Sequence, residues 1–252
     1  MGIIAKVQPA FRLSSSQSGG ASVGNTIKGY FAAGGGWWDM EADMSDTSGN
    51  GNTLTEINIP TYVAGGKPGN YANLVAASDQ YGTIADNAPL SMGAGIYMTC
   101  GGWVNLASAG ILRRILSKGN VSTGTTVEYS LGFNNAGAFR FSAGDGAAVT
   151  NVTDTNVAVS IGTWYFVVAR YKVDTGMIGI NVNMAGWIEA AFTGPILNGT
   201  NAFRIGDDTG GARNWDGSLD SLFVHKSLTA CLTDTQLTHI KNGTTGRSWS
   251  TL

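Results

Sequence analysis

The sequence predicts an all-β protein built as an antiparallel β-sandwich, and three observations carry that prediction. Strand-sized apolar segments follow one another from Trp37 onward, separated by clusters of turn-forming residues. No helical period interrupts them until close to the C-terminus. The composition also suits a turn-rich sheet: charged residues are only 13% of the chain, against a typical ~25%, and 37 of its 252 residues are glycine. Glycine and asparagine supply the positive φ angles that tight hairpins need.

The strands can be justified in turn. Tyr129-Ser130-Leu131-Gly132-Phe133, Phe139-Arg140-Phe141 and Ile178–Met184 alternate apolar with small or polar residues, the mark of a half-buried strand. Trp164–Tyr171 is apolar almost throughout, which predicts a central strand covered on both faces. Asn134-Asn135-Ala136-Gly137 and Asp174-Thr175-Gly176 sit where hairpin turns belong. One helix is expected after Thr233. Thr233-Asp234-Thr235-Gln236 fits a capping box, Leu237 and Ile240 fall on one face, and Asn242-Gly243 ends it. No internal repeat is present.

Residues 1–36 read differently. Ser14–Gly20 and Gly34–Gly36 flank short apolar pieces without a period, so this stretch reads as an N-terminal arm and 37–252 as the domain. An arm of that composition becomes ordered only when its own domain or a neighbouring chain holds it. Phe11, Trp37 and Trp38 are the apolar anchors such an arm would use against a neighbouring subunit.

Net charge is −2 and no Lys/Arg block occurs, which argues against a nucleic-acid partner. No apolar run reaches the ~18 residues of a membrane span, and the start lacks the pattern of a signal peptide. Cys100 and Cys231 are expected to be reduced, although a bridge between them stays open. Catalysis is not expected. His225 and His239 lack the partners of a nucleophilic triad, and no strand in the middle of the domain carries a Glu-x-Asp pair. Glu41-Ala42-Asp43 has that spacing but runs into a turn. Asp207, Asp208, Arg213 and Asn214 in the loop 206–214 form the richest polar patch, either a ligand loop or a solvated hairpin tip. Trp103, Trp164 and Trp215 are expected in the core.

Six segments, in order, carry a resemblance: Asp46-Thr47-Ser48-Gly49-Asn50-Gly51-Asn52, Gly69–Leu74 with Tyr81, Met98–Val104, Ile115-Leu116-Ser117-Lys118-Gly119, Gly162–Ala169 and Trp215–Asp220. Together they resemble the laminin-G-like, concanavalin A-like lectin/glucanase jelly-roll family from about Trp38 to Asn242. The resemblance implies a concanavalin-like jelly roll with one short C-terminal helix. It also implies a structural calcium ion tying the early turn to the closing strand, with Asp46, Asn50 and Asp220 as oxygen donors. The alternative is that Asp46 makes an Asx-type turn and Asp220 bonds a local amide.

Two functions follow as expectations. One is a non-enzymatic structural or adhesive component of a virion, such as a phage capsid decoration or tail protein. It would be exposed on the particle surface and would dock on other virion proteins or on copies of itself through the arm, with glycans as a further contact. The other is a secreted, extracellular, calcium-dependent glycan-binding module.

Overall fold

A computed structural model describes residues 27–29, 31–121, 125–211 and 213–252. Two antiparallel sheets pack face to face. The first takes its strands in the order β13 (Ile188–Ala191), β12 (Met177–Val182), β11 (Trp164–Lys172), β6 (Tyr97–Leu106), β15 (Gly217–Ser227), β4 (Asn70–Leu74) and β3 (Thr61–Ala64). An eighth strand, β1 (Gly35–Trp38), pairs with the second half of β15. The other sheet runs β10 (Val149–Thr153), β9 (Phe139–Gly144), β8 (Tyr129–Phe133), β7 (Arg113–Lys118), β14 (Phe203–Ile205), β5 (Tyr81–Ile84) and β2 (Thr55–Ile57). The expected antiparallel sandwich is borne out, with helix α1 (Asp234–Lys241) near its end.

Both strand periodicities that the sequence displayed have a physical counterpart. On β11, Tyr165, Val167, Ala169 and Tyr171 face the core between the sheets. Phe166 and Val168 face the opposite way, into a second apolar layer with Trp103, Phe223, Leu237 and Ile240 beneath α1. Two-sided cover is what an unbroken apolar run requires. The helix carries its capping box, with Gln236 N donating to Thr233 Oγ1, and Asn242 ends it in the left-handed region at φ 48°. On β15 a bulge between Asp220 and Phe223, with Ser221 at φ 46°, resets the alternation. Leu222 and Val224 then point into the main core while Phe223 points under the helix.

The start of the domain lies earlier than expected. Gly35 and Gly36 are strand residues, and Ile27 and Phe31 are buried in the layer beneath α1. Trp37 and Trp38 are therefore not docking anchors. Alternation along β1 sends them to opposite faces of the sheet, each fully buried. Trp37 stacks on Phe223 at 5.3 Å between ring centroids, and Trp38 stacks on Phe203 at the same separation. Phe11 and residues 1–26 lie outside the described residues. Cys100 and Cys231 are both free thiols. Of the tryptophans expected in the core, Trp215 is in the main core, Trp103 lies beneath the helix and Trp164 is partly exposed at that layer's edge.

Asp220 is fully buried and accepts a hydrogen bond from Lys67 N in the β3–β4 turn, so it joins segments 153 residues apart. Burial, reinforced by Glu41 and Asp39, pushes its carboxyl up to about 7. The folded protein keeps this proton where the unfolded chain has lost it, so this group's contribution to stability falls as pH rises from about 4 to about 7. Asp220→Asn keeps an acceptor for Lys67 N and removes the ionisation penalty. Thermal melts should show a Tm roughly 2–8 °C above wild type at pH 8 and no gain at pH 4. Equal melting at pH 8 would contradict this account. A second expectation concerns β6, where a Cβ on Gly101 would meet the Val167 carbonyl oxygen of β11. Gly101→Ala should lose about 3 kcal/mol or more in urea titration, whereas Gly49→Ala, which meets nothing, should lose about 1 kcal/mol through its positive φ alone.

Candidate functional site

The three residues expected to hold calcium are each engaged in hydrogen bonds within the fold. Asp46 Oδ1 accepts from Trp37 N, Ser48 N and Ser48 Oγ, and its Oδ2 accepts from Asn52 N, so amides and a hydroxyl occupy both oxygens. Asn50 turns its amide N–H₂ to the carbonyls of Phe31 and Gly35. Asp220 is engaged by Lys67 N and Ser221 Oγ. No group of three or more His, Cys, Asp or Glu side chains suited to a metal occurs among the described residues. The D-x-S-G-N-G-N turn still ties the fold together, but it does so by hydrogen bonds to the strand β1.

In the loop 206–214 the two carboxylates fold inward, while Gly210 is exposed. Asp207 and Asp208 are buried. Asp208 Oδ2 is shared by Arg213 Nη1 at 2.7 Å and Arg114 Nε at 3.3 Å, while Asp207 Oδ2 meets Arg204 Nη1 at 2.7 Å. Arg113 Nη1 donates to Asn214 O, and Asn214 Nδ2 donates to Asp79 Oδ1, each at 2.7 Å. Burial raises the Asp207 carboxyl and lowers the Arg114 guanidinium to about 10. The missed partners are Arg113, Arg114 and Arg204. Phe203-Arg204-Ile205 and Arg113-Arg114-Ile115-Leu116 put cations within apolar strands, a pattern that buried pairing explains.

At the other end of β7 lies a cavity of about 270 Å³ lined by Asp86, Ala88, Ser91, Met92, Asn198 and Lys226. Its charged wall is anchored from beneath. Lys118 Nζ, fully buried, reaches Asp86 Oδ1 at 2.6 Å and Glu128 Oε1 at 2.8 Å. Glu128 also accepts from Met92 N and Gly199 N. The Lys118 hydrogen bond holds the Asp86 carboxyl below the usual range, whereas burial pushes Glu128 up against the pull of Lys118 and the two amides. Ser91 Oγ donates to Asp86 Oδ1, and Lys226 Nζ donates to Ala88 O and Ser91 O, which leaves one of its three protons without an acceptor among the described residues. The cavity thus offers a carboxylate, an ammonium and a hydroxyl held in place by the fold, with the exposed Asn198 also in its lining. Sequence reading missed it because its residues come from three separate segments.

A smaller cavity of about 130 Å³ is lined by Asp39, Met40, Glu41, Ala42, Asp43, Ser45 and Thr47. Its carboxylates accept from backbone amides and, at Asp39, from an indole as well. Glu41 accepts from Asn70 N, Asp43 from Ser45 N, and Asp39 from Trp249 N and Trp37 Nε1. His225 is buried against Phe31, and burial lowers it to about 4, while His239 lies on α1.

Comparison with known proteins agrees with the fold. Domain 4 of AbnA, a GH43 extracellular arabinanase from Geobacillus stearothermophilus solved with arabinotriose, matches with a TM-score of 0.61 at 16% identity, covering 81% of this chain and 95% of that one. The botulinum neurotoxin serotype G binding domain matches with a TM-score of 0.59 at 11% identity, covering 80% of this chain and 49% of that one. At these identities the likeness is one of fold. No curated protein sequence matches the chain. The laminin-G family pattern spans residues 76–236, well over half of the sequence, and the chain therefore belongs to the concanavalin A-like lectin/glucanases superfamily.

Proposed function

We propose that this protein is a non-catalytic glycan-binding β-sandwich that seats one sugar unit in the cavity between Asp86 and Lys226. The observation that carries the reading is the cavity's lining. Asp86, Ser91, Asn198 and Lys226 bring both donors and acceptors to it, and the buried Lys118, paired with Glu128, holds Asp86 in place. A sugar ring presents donors and acceptors around its rim, so a site that satisfies both binds it selectively. At about 270 Å³ the space lies just below the usual ~300–1,000 Å³ of small-molecule sites, which suits a single ring better than a chain. Binding by the arabinanase domain is a property of that protein, and it supports this reading by analogy of fold alone. The non-catalytic part rests on Glu41, Asp43 and Asp39, each committed to backbone amides.

Adhesion within a virion is a second reading, supported by the Gly/Ser-rich residues that precede Ile27. It would place the protein on the particle surface, whereas a secreted module would act outside the cell. Under the virion reading the full chain should sediment as an oligomer and a chain of residues 27–252 as a monomer. Identical monomeric sedimentation of the two would remove self-assembly through the arm.

The sugar site has its own test. A glycan array should show saturable binding, and Lys226→Met or Asp86→Asn should weaken it about 10- to 100-fold, the loss of one charge-assisted hydrogen bond, with the circular dichroism spectrum unchanged. Unaltered binding in both variants would move the site elsewhere. Glycan hydrolysis that disappears with Glu41→Gln would replace the binding reading with an enzymatic one.

A further inference from the structure

The outer face of the β7–β8–β9 region, at the opposite end of β7 from the cavity, carries more positive charge than its carboxylates balance. Arg114 pairs across to Gly132, and Gly132 pairs across to Arg140, so the two arginines flank a residue without a side chain. Their columns are two strands, or about 10 Å, apart, a gap that two guanidiniums can span from either side. Arg213 joins them because its Nη1 shares Asp208 Oδ2 with Arg114 Nε. One carboxylate therefore serves Arg114 and Arg213, Asp207 serves Arg204, and the Arg140 side chain has no hydrogen bond or ion pair with any described residue.

Two buried donors in the same place also lack acceptors. Arg114 is 2% exposed and its Nη2 has no partner among the described residues, and Ser130 is 1% exposed and its hydroxyl has none there. Ser130 lies two residues from Gly132 on β8, with Tyr129 and Leu131 turned to the core, so its hydroxyl is on the arginine face. Burying such donors unmatched costs about 1–3 kcal/mol each, which an acceptor ligand would remove. Arg140 is only half-buried, so the face is reached from solvent at that side chain. The burial of the guanidiniums and their mutual repulsion lower both Arg114 and Arg140, which agrees with the unbalanced charge that the geometry shows.

We propose that Arg140, Arg114, Arg213 and Ser130 form a binding site for an oxyanion, a carboxylate or sulfate group borne by an acidic saccharide or free in solution. Planar guanidiniums bind such groups with two parallel hydrogen bonds, and the serine hydroxyl supplies a further donor. The site is separate from the Asp86–Lys226 cavity and does not depend on sugar binding there.

The test follows the arginine Nε–Hε signals by NMR while sodium sulfate replaces chloride at constant ionic strength, with a chondroitin sulfate disaccharide as a second arm. Saturable shifts of Arg140 and Arg114 are expected at millimolar sulfate. Arg140→Gln should weaken binding at least about tenfold and Ser130→Ala about threefold, Arg140→Lys should restore part of it, and Lys226→Met should leave it unchanged. Tighter binding of the disaccharide than of sulfate identifies a saccharide-borne group, and equal binding identifies a free anion. Linear, unsaturable shifts, or wild-type affinity in Arg140→Gln, would overturn the proposal and leave water as the partner of the two donors. Loss of a sugar interaction in Lys226→Met with sulfate binding intact separates this site from the one proposed above.

Discussion

Charge buried on a single strand organises the molecule. β7 carries Arg113 and Arg114 at one end and Lys118 at the other, all at less than a tenth of full exposure. A cation cannot remain so far from water without a carboxylate or carbonyl beside it. Each end of the strand therefore draws in a loop. Asp208, Asn214 and Asp216 are brought onto the arginines, and the segments bearing Asp86, Glu128 and Asn201 fold onto the lysine. Both sites described above are by-products of this demand. One is a cavity whose charged wall is fixed from beneath, and the other is an arginine face where the supply of carboxylates runs short. Replacing these pairs with apolar residues could leave the sandwich no less stable, because buried ion pairs often stabilise little in net terms. Their effect is to specify where the loops lie.

Much of the fold was legible because sheet proteins write their burial in period two. Tyr129–Phe133 and Phe139–Phe141 showed one covered face, Trp164–Tyr171 showed two, and Thr233–Gln236 spelled out a helix start through hydrogen bonds local to four residues. Trp37 and Trp38 were misread for a related reason. Two adjacent tryptophans beside a glycine-rich stretch look like an exposed anchor, but on a strand with both faces covered, neighbouring side chains are buried in different layers. The bulge at Ser221, which decides the faces of Leu222 and Phe223, leaves no mark in the sequence, since serine seldom adopts positive φ.

The sites were less legible, and the reason is distance along the chain. Asp207 and Asp208 looked like a polar loop because Arg114, which reaches Asp208, lies 94 residues away on a strand that sequence order does not place beside it, although Arg204 is only three residues from Asp207. Asp46 and Asp220 had the chemistry of calcium ligands, and only the structure shows that they accept hydrogen bonds from Trp37 N, Asn52 N and Lys67 N. Lys118 stood in plain view within Ile115–Gly119, yet nothing local indicates that Asp86 and Glu128 would reach it.

The pairing of β1 with β15 brings one of the first strands against the last. Trp249 N also donates to Asp39 Oδ1 across 210 residues. Contacts of such long sequence separation close late, because the chain entropy of the intervening loop is lost before they form. On the ribosome, β1 must wait unpaired while the rest of the sandwich emerges, with Trp37 and Trp38 still exposed. Folding of this domain is thus completed only after β15 has been made, and the interval before then is when the chain is most open to aggregation or to capture by a chaperone.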